Sequence, residues 1–195
     1  AFLPVQQMLG FDSGPMFGHP AGGAREFGGK LLYPRGKSKA LFPIISRRPV
    51  NGPEDVDKLE VPDPRKAGEV PKQVVGVKFV MDNYPVGYRN PMMVTGDPFT
   101  WAGNITGLET MLMWMQMSPD LVRSVLDKVV AFEVEVVKYA LGQVGDLFFF
   151  DGGPSDSNDL INAKQFEKFA HPPLLSYRRG AMRAGASRFI SHPCG

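Results

Sequence analysis

In its second half the chain alternates short apolar runs with longer helical stretches, and no other feature constrains its fold as strongly. The runs are Pro91-Met92-Met93-Val94-Thr95-Gly96, Asp146-Leu147-Phe148-Phe149-Phe150-Asp151 and Arg188-Phe189-Ile190-Ser191. Apolar runs this short and without polar alternation suit strands buried on both faces. Strands alternating with helices are the mark of parallel βαβ units. The helices between them read clearly. Residues 107–117 form one with a wide apolar face. Ser118 as N-cap, Pro119 at the first helical position and Asp120 in the first turn open a longer one, reaching about residue 141. Its stripe is Val122, Val125, Leu126, Val129, Val130, Val134, Val137 and Leu141, with Gly142 and Gly145 as its end. Residues 162–169 and 172–184 supply the last two helices.

The first half carries most of the Gly and Pro and reads as turns and loops. Residues 1–30 are mainly loop, with a short strand near 8–11 or 15–17. Residues 31–33 and 41–45 flank the polar turn Pro34-Arg35-Gly36-Lys37-Ser38, a β-hairpin pattern. Residues 53–59 form a short helix with Pro53 early in its first turn. Residues 71–83 form another, with Val74, Val77, Val80 and Met81 as its apolar face. Residues 97–103 read as loop. A full (β/α)8 barrel takes ~250 residues, and about four strands here could belong to one. The fold class expected is therefore α/β, a TIM-type (β/α)8 barrel of which this chain is roughly half. A small open α/β sheet is the alternative.

Composition is that of an ordinary soluble protein, 43% hydrophobic and 22% charged, with a formal net charge of +2. Lys and Arg are scattered, and Arg47-Arg48 and Arg178-Arg179 read as solvated surface, so no nucleic-acid partner is expected. No run approaches the ~20 apolar residues needed to cross a bilayer, and no secretory signal opens the chain. The single cysteine, Cys194, rules out an internal disulfide. A cytoplasmic protein is the expectation. Gly22-Gly23, Gly28-Gly29 and Gly152-Gly153 lack the spacing of nucleotide-binding loops, and there is no G-x-S-x-G nucleophile elbow. The alternating Met111, Met113, Met115 and Met117 read as adaptable filler on a buried helix, or as a face for a partner.

In parallel barrels the chemistry sits at the C-terminal ends of the strands. Three such ends carry polar residues: Gly96-Asp97-Pro98-Phe99, Asp151-Gly152-Gly153 and His192-Pro193-Cys194-Gly195. The last is the sharpest. An imidazole and a thiol two residues apart just past a strand are both good zinc donors, though a catalytic zinc usually takes three protein ligands. The remaining histidines, His19 and His171, are candidates for a third ligand, but both read as lying away from strand ends. Asp151 can orient a substrate or accept a proton, or cap the Asp-Gly-Gly turn. Asp97 admits the same two readings.

Five segments, in this order and spacing, resemble the uroporphyrinogen-decarboxylase-like superfamily. They are residues 53–64 with their Pro62-Asp63-Pro64 ending, the Gly96-to-Gly103 block followed by Gly107 and the Ser118-Pro119-Asp120 helix start, Gly145-Asp146 through Asp151, Leu160-Ile161 through His171-Pro172, and the terminal His-x-Cys. The superfamily's barrel fold agrees with the reading above. The Arg-rich N-terminal motif of the true decarboxylases is not found. His192-Pro193-Cys194-Gly195 is similar instead to the H-x-C motif of the methylcobamide:thiol (coenzyme M) methyltransferase branch. That resemblance implies zinc held by His192 and Cys194 with a second, later cysteine, for which this sequence has no counterpart. It also implies a methyl-corrinoid carried by a partner protein, a small thiol or folate acceptor, Asp151 as the catalytic group beside the acceptor, and Asp97 and Phe99 as substrate-binding residues. A decarboxylase-like enzyme and a non-catalytic barrel binding protein are the alternatives.

Overall fold

The computed structural model describes residues 2–11, 14–36, 40–192 and 194. Four strands make one parallel sheet: β1 (Met16–Phe17), β4 (Met92–Val94), β5 (Phe148–Asp151) and β6 (Arg188–Ser191), in spatial order β1-β4-β5-β6. Each strand pairs with its predecessor in the sheet, and the order never reverses, with Met93 opposite Phe149 and Phe149 opposite Phe189. A doubly wound sheet needs such a reversal; an arc of a barrel wall does not. The expected partial (β/α) barrel is what the strands form, and the small open sheet is set aside.

The expected hairpin is present as β2 (Lys30–Leu32) and β3 (Ile44–Arg47), an antiparallel pair separate from the main sheet. Lys37 and Ser38 of its turn lie outside the described residues, as do Pro193 and Gly195 of the last motif. The helices α2 (Pro53–Lys58), α3 (Val70–Asn83), α5 (Leu108–Met117) and α6 (Pro119–Val144) form where their apolar spacing requires. Ser118 occupies the N-cap of α6 without a side-chain cap bond, and Pro119 starts the helix by its fixed φ. Gly142 does not end α6; Gly145 does, at φ 74°, with its N–H donating to the Leu141 carbonyl. Met111 and Met115 are buried while Met113 and Met117 are exposed, so one side of α5 packs and the other does not.

Two expectations fail. Residues 2–9 form helix α1 (Phe2–Leu9), not loop, so the strand falls at 16–17 rather than at 8–11. Residues 98–106 form helix α4 (Pro98–Thr106), not a loop. Pro98 sits at its first position, and the Asp97 side chain accepts from the Phe99 N–H at 2.9 Å, so cap and proline together start the helix. The last two helices join as α7 (Ala163–Gln165), a π turn (Phe166–Ala170) and α8 (His171–Arg183). Pro172 and Pro173 have no N–H, and the His171 N–H reaches back to the Phe166 carbonyl instead.

Strand alternation divides the sheet into two faces. Met93 and Phe149 are fully buried against the helices, while Met92, Val94, Phe148 and Phe150, on the other face, are half-buried. Phe132 of α6 anchors the helix layer, edge-on to Phe27 at 5.3 Å and 6.1 Å from Trp101. Each large side chain buried this completely contributes about 1.5–3 kcal/mol. Among the described residues no helix is long and apolar enough to cross a membrane.

Candidate active site

A cavity of ≈ 290 Å³ opens at the C-terminal ends of the four strands. The segment after β1 brings His19 and Pro20 to it, and the end of β4 brings Gly96 and Asp97. The first turn of α4 adds Thr100 and Trp101, β5 and its turn add Phe150, Gly152 and Gly153, and His192 and Cys194 follow β6. Phe42, from the segment between β2 and β3, also lines the cavity. Apart from Asp97 and the two imidazoles, the wall is mostly apolar.

Glycines set its shape. A Cβ on Gly96, where φ is +81°, would lie 1.8 Å from Trp101 Nε1, and one on Gly22 would lie 2.7 Å from the same indole. The ring is thus clasped by backbone, and no side chain can take either place. A Cβ on Gly152 would lie 2.3 Å from the His192 carbonyl oxygen. That absence lets the two strand ends approach, and the His192 N–H donates to the Asp151 carbonyl at 2.9 Å. The exposed His192 ring stacks on Phe150 with centroids 6.1 Å apart.

The five residues singled out in the sequence separate into two groups. His192, Cys194 and Asp97 meet at the cavity wall. Phe99 does not; it is fully buried in the helix-side core. Asp151 follows Phe150 and therefore points to the opposite face of β5, toward α8. There its carboxylate meets Arg178: Nη2 donates to Oδ1 at 2.8 Å, and Nε lies 2.5 Å from Oδ2. Arg178 also donates to Ser191 Oγ and lies over the Phe189 ring, its guanidinium carbon 4.4 Å from the centroid. Arg178 is consequently no solvated surface charge. It ties α8 to the ends of β5 and β6, and no local signal in the sequence links residues 151 and 178.

Sequence reasoning set His19 aside as lying away from a strand end, and the structure places it on the cavity wall. It lies just beyond β1, its wall position is shared with His192, and both its ring nitrogens are buried without a partner. Burial lowers its pKa, the charge of Glu26 opposing that shift. Sequence reasoning missed Glu133, on the buried face of α6, fully enclosed and with neither oxygen hydrogen-bonded. Burial pushes its carboxyl well above the usual carboxylate range, helped by the charges of Asp97 and Asp151. Asp97 is raised in the same sense by burial, then by Asp156, then by Asp151. Tyr177, hydrogen-bonded to Thr95, is raised by burial and by Glu133. Beneath the cavity lies a cluster of carboxyls, of which Asp151 is paired with Arg178.

The uroporphyrinogen decarboxylase (URO-D) family profile matches residues 2–195. The methylated-thiol–coenzyme M methyltransferase of Methanosarcina mazei is 29% identical over 157 residues, which cover 76% of this chain and 40% of that protein. A solved methyltransferase from Methanosarcina mazei superposes with a TM-score of 0.83 at 17% identity, over 99% of this chain and 54% of that one. The chain thus spans about half the length, or less, of these two proteins.

Proposed function

Because the chain belongs to the uroporphyrinogen decarboxylase family, we propose that it serves methyl transfer from a methyl-corrinoid, carried by a partner protein, to a small thiol or folate acceptor. The observation that carries this reading is the meeting of His192 and Cys194 on the wall of the strand-end cavity. An imidazole and a thiol are the donors that zinc takes in N/S sites. Among the described residues no group of three His, Cys, Asp or Glu is assembled to hold a metal. His192 and Cys194 would therefore supply two ligands of a site that needs a further donor.

Bound zinc would favour the thiolate form of an acceptor sulfur, which is the nucleophile. The remaining work belongs to the chain. Trp101 and Phe150 exclude water from the wall, which strengthens every charge interaction inside. The stack of His192 on Phe150 and its N–H bond to Asp151 fix the rim. Asp151, held by Arg178, orients the β5 and β6 ends rather than facing the acceptor. Asp97 is the carboxyl that an acceptor would meet.

The test is metal content together with methyl transfer from methylcobalamin to a thiol, in the natural full chain and in His192→Ala and Cys194→Ser. About one zinc per chain, lost with transfer in both variants, is the expected result. A wild type without zinc or transfer would leave a decarboxylase-like enzyme or a non-catalytic barrel in its place.

A further inference from the structure

The cavity wall is mostly apolar, yet three of its side chains carry buried polar atoms that no hydrogen bond satisfies. They are His19 with Nδ1 and Nε2, Asp97 with Oδ2, and Thr100 with Oγ1. Buried polar atoms in folded chains nearly always have a partner, and a ligand is one source of it. The fold gathers the three. Asp97 caps α4, and Thr100 stands three residues on in the first turn of the same helix. Asp97 is 2% exposed and Thr100 6%. Asn104, a further turn along α4, donates to the carbonyls of Pro20 and Gly22 at 2.8 and 2.9 Å. Those bonds hold the segment that carries His19 against α4. The turn after β5 closes in as well, since a Cβ on Gly153 would lie 2.1 Å from Thr100 Oγ1.

We propose that His19, Asp97 and Thr100 form a hydrogen-bonding subsite for the tail of the acceptor, and that the acceptor is a small thiol whose tail is an uncharged hydroxyl. The inference rests on the methyl-transfer reading above, which puts the acceptor sulfur at His192 and Cys194 on the same wall. The carbon chain between sulfur and hydroxyl meets the apolar part of the wall, where Trp101 and Phe150 stand. The volume of ≈ 290 Å³ falls at the lower end of the ~300–1,000 Å³ of ligand pockets. That suits a thiol of a few heavy atoms better than a folate. The three residues bind and select the acceptor, and none of them makes or breaks a bond.

The chemistry of the set selects the tail. A neutral imidazole carries one donor and one acceptor, a hydroxyl carries both, and a carboxyl accepts when ionised and also donates when protonated. Burial lowers the pKa of His19 and so favours its neutral form. Burial, then the neighbouring acid Asp156, raises that of Asp97. A hydroxyl tail both donates and accepts, so it satisfies the set in either state of Asp97. An ammonium only donates, and an apolar wall is a costly place for a charge. No Lys or Arg is among the described residues of the wall. An anionic tail therefore meets the acid Asp97 and no opposite charge.

The experiment uses the natural full chain with methylcobalamin and measures kcat/KM for 2-mercaptoethanol, ethanethiol, 2-mercaptoethanesulfonate and cysteamine. Ratios between thiols do not depend on the fraction of chain that is folded or loaded with metal. Comparing each ratio in a variant with that in the wild type also cancels the intrinsic reactivity of the thiols. The wild type is expected to favour 2-mercaptoethanol over each of the others by about 10-fold or more. Thr100→Val removes the hydroxyl at nearly constant shape and should shrink the preference over ethanethiol by about 10-fold. His19→Leu should shrink it in the same sense. Asp97→Asn keeps a good N-cap for α4 and should raise the sulfonate relative to 2-mercaptoethanol by about 10-fold. Transfer with ratios unmoved in these variants overturns the subsite and leaves methyl transfer standing. A wild type that takes the sulfonate or cysteamine as readily as 2-mercaptoethanol overturns the uncharged tail. No transfer to any thiol overturns the methyl-transfer reading itself, and the acceptor assignment with it.

Discussion

His192 stands exposed at the rim of the cavity, whereas Asp97, Asp151 and Glu133, in the layer below, are 2%, 2% and 0% exposed. The rim holds its donors by stacking and by one backbone hydrogen bond. The layer below holds its acids by enclosure, with Arg178 answering only Asp151. Charges in the rim are solvated, so altering them changes little in the folding equilibrium. Those below are removed from water, where an unpaired charge costs several kcal/mol. The contrast places the buried charges in the lower layer and the proposed chemistry at the rim, with Asp97 touching both.

The sharpest break of this comparison is Arg178→Ala. Its guanidinium is 28% exposed but its partner is 2% exposed, so the variant leaves a buried carboxylate unpaired. A loss of about 3–5 kcal/mol is expected in denaturant unfolding, with Asp151→Asn in the same chain recovering part of it. A loss below about 1 kcal/mol would mean that water already reaches Asp151, and the two layers would not differ. Next is Gly96→Ala. The residue has φ +81°, and the new Cβ would lie 1.8 Å from Trp101 Nε1. Backbone strain and overpacking together are expected to cost about 2–3 kcal/mol, read as a fall in unfolding midpoint with a shift in tryptophan emission.

How much of this was legible beforehand follows the same division. The strands at 92–94, 148–151 and 188–191 declared themselves through local apolar runs, and the helices between them through local periodicity. His192 and Cys194 drew attention in the sequence because an imidazole and a thiol follow one strand, and both line the cavity. The lower layer was not legible, since it is made of long-range pairs. Arg178 looked like a surface cation because its partner lies 27 residues away. Glu133 interrupts the apolar face of α6 between Phe132 and Val136, and one polar residue does not disturb a helical period. His19 was passed over because β1 is two residues long, too short to show its end. Helix α4 was hidden for another reason: Asp97-Pro98 is turn chemistry and helix-start chemistry at once.

Glu133 sharpens the comparison through pH. Its folded-state pKa is raised by burial and then by Asp97 and Asp151. The folded chain therefore holds this proton more tightly than the unfolded chain. The associated stability is complete below the ordinary carboxylate range and is lost as pH rises through the raised value. Glu133→Gln cannot ionise, so its stability should decline less between pH 5 and pH 9 than that of the wild type. The two curves should diverge by about 1–2 kcal/mol. Parallel curves would show that the folded and unfolded chains hold this proton equally tightly, as they would if water reached Glu133.

The smallest expected effect is the most telling about the rim. His192→Ala removes a stack on Phe150 but no hydrogen bond of the ring to the chain, and its backbone N–H still donates to Asp151. Its unfolding free energy should stay within about 0.5 kcal/mol of the wild type, as for an ordinary surface substitution. The measurement is a pair of denaturant curves recorded with and without a zinc chelator. A rim that only gathers ligands predicts that the wild type is the more stable chain with zinc present, by mass action, and that the two curves coincide once zinc is removed. If the variant stayed weaker by 2 kcal/mol or so without metal, the stack would be a structural contact, and the split between a rim for chemistry and a lower layer for stability would have to be redrawn along β6.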